Sequence, residues 1–239
     1  MQMPKNRRLS KEFDPDITYH AFLIRNRLMK TLRRLSLKLS GRLLDFGCGI
    51  KPYESLFNVQ EYVGVDYVGE GETYSKEKVD FIYDGITLPF ENESFDSIFS
   101  SEVAEHIFNF DHIIKELNRV LKPGGQILLT CPFTMPEHEM PNDFARYTSA
   151  ALADIFKKNG FEIVHFEKTG NFIESLFQLW IMYVDQYILS IFRKIPVVRV
   201  VVRKTTYLFL NCCALLFSRI FPKSQTLYLN NVILAKKIK

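Results

Sequence analysis

Leu43-Leu44-Asp45-Phe46-Gly47-Cys48-Gly49-Ile50 reads as a buried strand that ends in an acid and breaks into a turn with two glycines. Leu43 and Leu44 suit a sheet interior and Asp45 closes the strand. Gly47 and Gly49 let the backbone bend sharply and approach a ligand where side chains would clash. Pro52 follows at a place suited to the first turn of a helix. A strand, a glycine turn and a helix in this order cradle nucleotides, so a ligand containing adenosine is expected.

Spacing narrows the ligand. A dinucleotide site wants a third glycine three places after the second, and Pro52 stands there. Asp45 would also face a pyrophosphate with like charge. A nicotinamide oxidoreductase is therefore disfavoured, whereas S-adenosyl-L-methionine, which carries an ammonium and a sulfonium and no phosphate, suits the acid. Tyr62-Val63-Gly64-Val65-Asp66 is a second short apolar strand ending in an acid, and Asp66 follows Asp45 by 21 residues. An acid about 20 residues on, at the tip of the next strand, is placed to hold a ribose diol. That spacing fits any adenosine cofactor and does not by itself select methyl transfer.

The strand and its Asp-x-Gly-x-Gly turn resemble the first motif of the class I S-adenosylmethionine-dependent methyltransferases, with Lys51 where the motif's third glycine usually sits. Further segments follow in that family's order. Phe81 to Gly85 is a third strand and turn, Phe95-Asp96-Ser97-Ile98-Phe99 a fourth strand, and Ser100 to Ile107 the segment closing under the methionine moiety. Leu121 to Leu129 is the turn into the fifth strand. The resemblance spans roughly Gly41 to Phe133. It implies an α/β, Rossmann-like, seven-stranded, mostly parallel sheet with flanking helices, and a cofactor held by Asp45, Gly47, Cys48, Gly49, Asp66, Asp84, Gly85, Ser101 and Glu102. Asp84 would meet the adenine amino group. Plainer uses stand beside these: Asp66 as a helix cap, Asp84 as a turn residue, His106 as a structural hydrogen-bonding group.

The 239 residues are 47% apolar and 24% charged, which describes a folded chain with one principal domain. Cys48, Cys131, Cys212 and Cys213 have neither metal-ligand spacing nor a disulfide pattern, so a reducing compartment is expected and no metal ligand is assigned. No apolar stretch follows Lys5, Arg7 and Arg8, which argues against a secretory signal. Charge is divided sharply: 11 basic against 3 acidic residues in 1–42, 10 against 22 in 43–170, and 10 against 2 in 171–239. An acidic core between basic flanks does not suit a nucleic-acid partner and leaves the flanks free to meet an anionic surface.

The chain divides into an N-terminal helical segment (1–40, with helical apolar spacing from Tyr19 to Leu39), a cofactor-binding core (41–170), a helical insertion (171–225) and a final strand (226–239). Ser149 to Lys158 is expected as a helix, Phe161 to Phe166 as a strand, and Leu227 to Lys236 as the last strand. The insertion reads as an apolar and basic helical pair, Phe172 to Phe192 and Val197 to Phe221, joined at Arg193-Lys194-Ile195-Pro196. Glu174 and Asp185 in the first helix, and the short apolar run from Tyr207 to Phe217 in the second, argue against a bilayer span. Three readings stay open: an amphipathic pair in a membrane interface, with Trp180, Tyr183 and Tyr187 at headgroup level, a soluble cap or lid, and a hairpin that spans the bilayer. Localisation is expected to be cytoplasmic, with a peripheral position on the inner face of a membrane under the first reading.

Cys131 to Thr148 should wall the acceptor pocket, because ligands bind outside the carboxyl ends of the strands. Its pattern His138-Glu139-x-Pro141-x-Asp143-Phe144-x-Arg146-Tyr147-Thr148 resembles a loop found in a subset of the type 11 methyltransferase group. His138 is the candidate base, since its ordinary pKa lies near working pH, and Glu139 the reserve. His106, Asp143, Arg146 and Tyr147 are the acceptor-side candidates. Asp143 and Arg146 could instead pair to hold the loop, and Thr148 cap the following helix. The expected activity is methyl transfer to a small-molecule, lipid or glycan acceptor. The alternative is a non-catalytic cofactor-binding scaffold acting through its C-terminal helices at a membrane or partner protein.

Overall fold

The computed structural model describes residues 9–67 and 79–238. Leu23, Ile24, Leu28, Met29, Leu32 and Leu35 fall on one side of helix α1 (Phe22–Leu35) and are buried. Strands β1 (Arg42–Phe46), β2 (Glu61–Tyr67), β3 (Phe81–Tyr83) and β4 (Phe95–Ser101) follow. Then come helix α2 (Phe110–Val120), β5 (Leu121–Pro132), helix α3 (Ser149–Lys158), β6 (Phe161–Lys168), helices α4 (Phe172–Tyr183) and α5 (Pro196–Ile220), and β7 (Asn230–Lys237). The seven strands form one sheet in the order β3-β2-β1-β4-β5-β7-β6. Its pairs are parallel except those of β7, which runs antiparallel to β5 and β6. This is the Rossmann-like, mostly parallel architecture that the motif order implies, with a helical pair before the last strand.

Alternation of side chains builds the layers. Leu44, Ile98, Ile127, Leu129, Ile233 and Ala235 face α2 and α3, packing on Ile113, Ile114, Leu117, Leu152 and Phe156. Leu43, Phe99, Leu128, Val232 and Leu234 face α1, packing on Leu28, Leu32 and Leu35. A register slip of one residue would exchange these sets, so burial on both faces fixes the pairing. The strand order reverses direction at β1, whose neighbours are β2 and β4, and a ligand crevice belongs at that switch point.

Several boundaries differ from expectation. The helix expected after Pro52 is only a 3-10 turn, Glu54–Leu56. Tyr53 and Phe57 insert beside Leu28, Leu32 and Phe99, so α1 supplies the helical cover that a longer helix would have given. The N-terminal helix is shorter than 19–39 and ends in a 3-10 turn, Ser36–Lys38. The first insertion helix stops at Tyr183 and continues as a π turn, Val184–Ile188, and a 3-10 stretch, Leu189–Lys194. The helix over 149–158 forms as expected, with Thr148 Oγ1 accepting from Ala151 N at 3.2 Å.

The insertion is tied to α1 through polar groups. Arg27 pairs with the buried Glu174, Gln178 Nε2 donates to His20 O at 2.9 Å, and Asn211 Nδ2 donates to Ile17 O at 2.8 Å. Arg203 and Tyr207 both donate to Asp185, joining α5 to the π turn. The buried stripe of α4 is thus Glu174, Ser175, Gln178 and Ile181, and that of α5 is Tyr207, Asn211, Ala214 and Ser218. Ile181, Tyr207 and Ala214 are in a core cluster, with Phe177, Leu210 and Leu215 packed against it, while many of the other apolar side chains point the other way. Leu176, Leu179, Trp180 and Tyr183 on α4, and Val197, Val200, Val201, Leu208, Phe209, Leu216 and Ile220 on α5, are exposed.

Candidate active site

The carboxyl ends of β1 to β4 meet at one edge of the sheet and carry the candidate cofactor residues. After β1 the chain turns through Gly47 (φ 72°) and Gly49 (φ 48°). A Cβ on Gly47 would stand 2.3 Å from Val103 Cγ2, so no side chain fits there. A Cβ on Gly49 would meet nothing within 4 Å, which leaves open ground over the turn for a ligand. Lys51, in the place of the usual third glycine, keeps the left-handed conformation with φ 55°. It bears that cost while its ammonium pairs with Asp80, and the cradle's backbone path survives the substitution.

Asp66 at the end of β2 accepts from Gly49 N at 2.6 Å and from Tyr67 N at 2.8 Å, which fixes its carboxylate against the turn. Asp45 sits beneath the turn, 3% exposed, and Tyr62 Oη donates to it at 2.6 Å. Burial raises its pKa to about 7, with the Asp66 charge adding to the effect and the Tyr62 hydrogen bond opposing it. Cys48 is buried and its thiol is pushed up by burial, so it is an inert packing group whose backbone shapes the turn. Asp84 is exposed, and its Oδ1 accepts from Ile86 N and Thr87 N at 2.8 and 2.7 Å, the Asx-turn geometry that also holds Gly85 at φ 83°.

At the end of β4 a polar chain is completely partnered. Ser101 Oγ lies 2.9 Å from Thr130 Oγ1, Thr130 donates to Glu102 Oε1 at 2.8 Å, and Asn230 Nδ2 donates to Glu102 Oε2 at 2.8 Å. Glu102 has φ 58°. Three of the four non-glycine residues with positive φ among the described residues, Lys51, Glu102 and Glu139, ring this edge, and strain of this kind gathers at ligand sites.

The acceptor-side loop is fixed by one ion pair. Asp143, with its side chain 1% exposed, takes two hydrogen bonds from Arg146 at 2.5 and 2.6 Å, and the guanidinium also donates to Met135 O and Pro136 O. The pair lowers the Asp143 pKa to about 2, chiefly through the Arg146 hydrogen bonds. Asp143 also accepts from His138 N at 3.0 Å. The structure thus gives these two residues the loop-holding role. Tyr147 is partly buried and packs against Phe110, with ring centroids 5.2 Å apart. His106 and His138 meet edge to face at 4.9 Å, and Glu139 Oε2 lies 3.7 Å from His106 Nε2. His138 lines a cavity of about 590 Å³, walled on its far side by Met182, Asp185, Arg199 and Arg203 of the insertion.

Three features of this edge were not foreseen. Arg25 on α1 donates to Tyr53 Oη at 3.4 Å and its charge favours the Glu102 carboxylate, and Asn230 reaches Glu102 from the last strand. An arginine among the apolar positions of α1 is the signal that would have found the first. Glu105, adjacent to His106, is 0% exposed, and neither of its carboxyl oxygens has a hydrogen-bond partner. Burial, and then the Glu102 charge, raise its pKa well above the usual carboxylate range.

The edge suits one kind of ligand. Asp45, Asp66, Asp84 and Glu102 end four neighbouring strands around an open glycine turn, a setting for a cationic adenosine cofactor and a hostile one for a pyrophosphate. Residues 19–166 match the family profile of a methyltransferase domain. The chain is 30% identical over 111 residues to a demethylmenaquinone methyltransferase of Staphylococcus saprophyticus, covering 41% of this chain and 48% of that protein. It is 34% identical over 92 residues to a probable tRNA methyltransferase 9B of Homo sapiens, covering 36% and 20%. It thus spans about half or less of the length of these curated relatives. Its fold is similar to that of phosphoethanolamine N-methyltransferase 2 from Haemonchus contortus in complex with S-adenosyl-L-methionine, with a TM-score of 0.51 and 19% identity over 96% of this chain and 58% of that one.

The chain belongs to the methyltransferase domain family. Its Rossmann-like sheet is that of a methyltransferase domain. S-adenosylmethionine, when bound, would supply an electrophilic methyl group. The glycine turn, Asp66 and the Ser101–Glu102 segment are the parts of this chain that would hold it.

Proposed function

We propose that the enzyme methylates a hydroxyl on a lipid or lipid-linked acceptor while seated on the inner face of a membrane. The carrying observation is the inverted polarity of α4 and α5, which bury Glu174, Gln178 and Asn211 and expose Trp180, Tyr183, Phe209 and Leu216. An exposed apolar face of this extent calls for an apolar partner. The row of Trp180, stacked on Tyr183, and Tyr187, tilted against Tyr183, suits the headgroup level of a bilayer, and exposed Lys204, Arg219 and Lys223 suit anionic lipid.

The cavity at His138 opens beside this pair, so an acceptor rising from the membrane would reach the loop directly. His138, with Glu139 beside it, promotes loss of the hydroxyl proton. An acidic core, with 22 acidic against 10 basic residues in 43–170, speaks against nucleic acid as acceptor. A demethylmenaquinone methyltransferase among the relatives agrees with an apolar one. The non-catalytic scaffold reading is not favoured.

Flotation with vesicles tests the seating. Binding to vesicles with 30% anionic lipid, weakened at least tenfold by Trp180→Ala with Tyr183→Ala and Tyr187→Ala, is expected. A chain that stays with the soluble fraction at every lipid composition would refute it.

A further inference from the structure

We propose that Glu105, His106 and His138 form a binding site for a divalent transition-metal cation on the acceptor side of the cofactor cradle. One potential ligand atom from each residue lies within 4.8 Å of the others. His106 Nε2 is 3.8 Å from Glu105 Oε1, a separation that closes around an ion with small side-chain movements. Sequence spacing offered no such site, because Glu105 and His106 end one strand-to-helix connection while His138 lies on the next loop.

Two independent features point to a ligand. The first is Glu105 itself. Buried carboxyl oxygens are nearly always hydrogen-bonded, and both oxygens of Glu105 are without a partner beside two imidazoles. The second is the tautomer of His106. Its Nδ1 lies 2.8 Å from the Asn142 carbonyl, which can only accept, so Nδ1 carries the hydrogen and Nε2 presents a lone pair toward Glu105 and Glu139. A backbone carbonyl holding one ring nitrogen while the other ligates is the usual outer-sphere arrangement of a metal-binding histidine. In His138, Nδ1 lies 3.2 Å from Pro136 O, and donation to that carbonyl leaves the lone pair on Nε2 for a ligand.

The surroundings favour a dication. Glu102, Glu139 and Asp143 are the neighbouring acids and Arg146 the neighbouring base, and Arg146 is committed to Asp143. Two imidazoles with one carboxylate select the Mn²⁺ to Zn²⁺ series over Ca²⁺ or Mg²⁺, which prefer oxygen alone. The site has three protein ligands, so it keeps positions for a substrate oxygen. Only its consequence rests on the hydroxyl-methylating reading. A hydroxyl bound there is acidified, its O–H bond breaks with the pair left on oxygen, and the proton passes to solvent. His138 then acts on the acceptor through the cation rather than by taking up the proton itself.

The full chain, stripped with chelator and without cofactor, is titrated with Mn²⁺ alone and followed by calorimetry and by the electron paramagnetic resonance of free Mn²⁺. One ion per chain is expected. Glu105→Gln and His138→Ala should each weaken binding at least tenfold and leave S-adenosylmethionine binding unchanged. Mn²⁺ should raise the melting temperature of the wild type and not that of E105Q. His138 is on a partly exposed loop, so H138A serves if E105Q does not fold. No stoichiometric binding, or variants that bind as the wild type does, would overturn the site. Tight Mn²⁺ binding without transfer to any hydroxyl acceptor would overturn the acceptor reading and leave the site standing. Chelator-insensitive transfer by a chain that binds no Mn²⁺ would do the reverse.

Discussion

The place of Asp45 beside the glycines suits a cation, and the structure puts it beneath the turn, bonded to Tyr62. Its folded-state pKa is raised from 3.8 to about 7. The folded chain therefore holds this proton more tightly than the unfolded chain does, and the stability it contributes at low pH is lost as pH rises from about 4 through 7. Each unit in that interval costs up to about 1.4 kcal/mol. Glu102 and Glu105 act in the same direction. The fall in melting temperature between pH 5 and pH 7.5 should accordingly be smaller in D45N than in the wild type, and equal slopes would contradict the burial argument. Asp66 is tied to Gly49 N, so Asp66→Ala should weaken cofactor binding at least tenfold by calorimetry, an unchanged constant being the contrary result. Removing Arg146 leaves Asp143 buried without its ion partner. R146A should lose about 3–5 kcal/mol in denaturant unfolding, and a loss under 1 kcal/mol would show that the pair does not hold the loop.

Elements with a strong period were legible from the chain alone. Short apolar runs in β1, β4, β5 and β7 and the Thr148 cap of α3 are local signals, and the structure follows them. The missing helix after Pro52 was not legible, because whether Tyr53 and Phe57 belong to a helix or to a cover under α1 depends on where α1 packs. The same holds for the site. Acids ending successive strands could be counted from the sequence, whereas the junction of Glu105 and His106 with His138 required the loop to fold back on Asp143 and Arg146. In the insertion, apolar content was plain but its direction was not. Polar anchors such as Glu174 and Asn211 point inward only because Arg27 on α1 and the carbonyls of Ile17 and Tyr19 just before it meet them. Glu174→Leu should therefore loosen the insertion from α1, seen as faster proteolysis within 171–225 in an otherwise folded chain. Cleavage at the wild-type rate would deny the anchor.

Across the whole molecule, charge and shape divide the work. The acidic core presents carboxylates at the strand ends where a cationic cofactor binds, and the basic flanks lie with α1 and the inverted helical pair, opposite in sign. Under the proposed reading, cofactor and acceptor approach from different surroundings, an aqueous acidic cleft and an apolar basic face, and meet at the loop of His138. The most direct test of this arrangement uses S-adenosylmethionine labelled in its methyl group, incubated with the enzyme and a membrane extract and then partitioned into organic and aqueous phases. Label should pass into the organic phase with the wild type and fall at least tenfold with D66A. Label confined to water-soluble products or to RNA would contradict a membrane-borne acceptor.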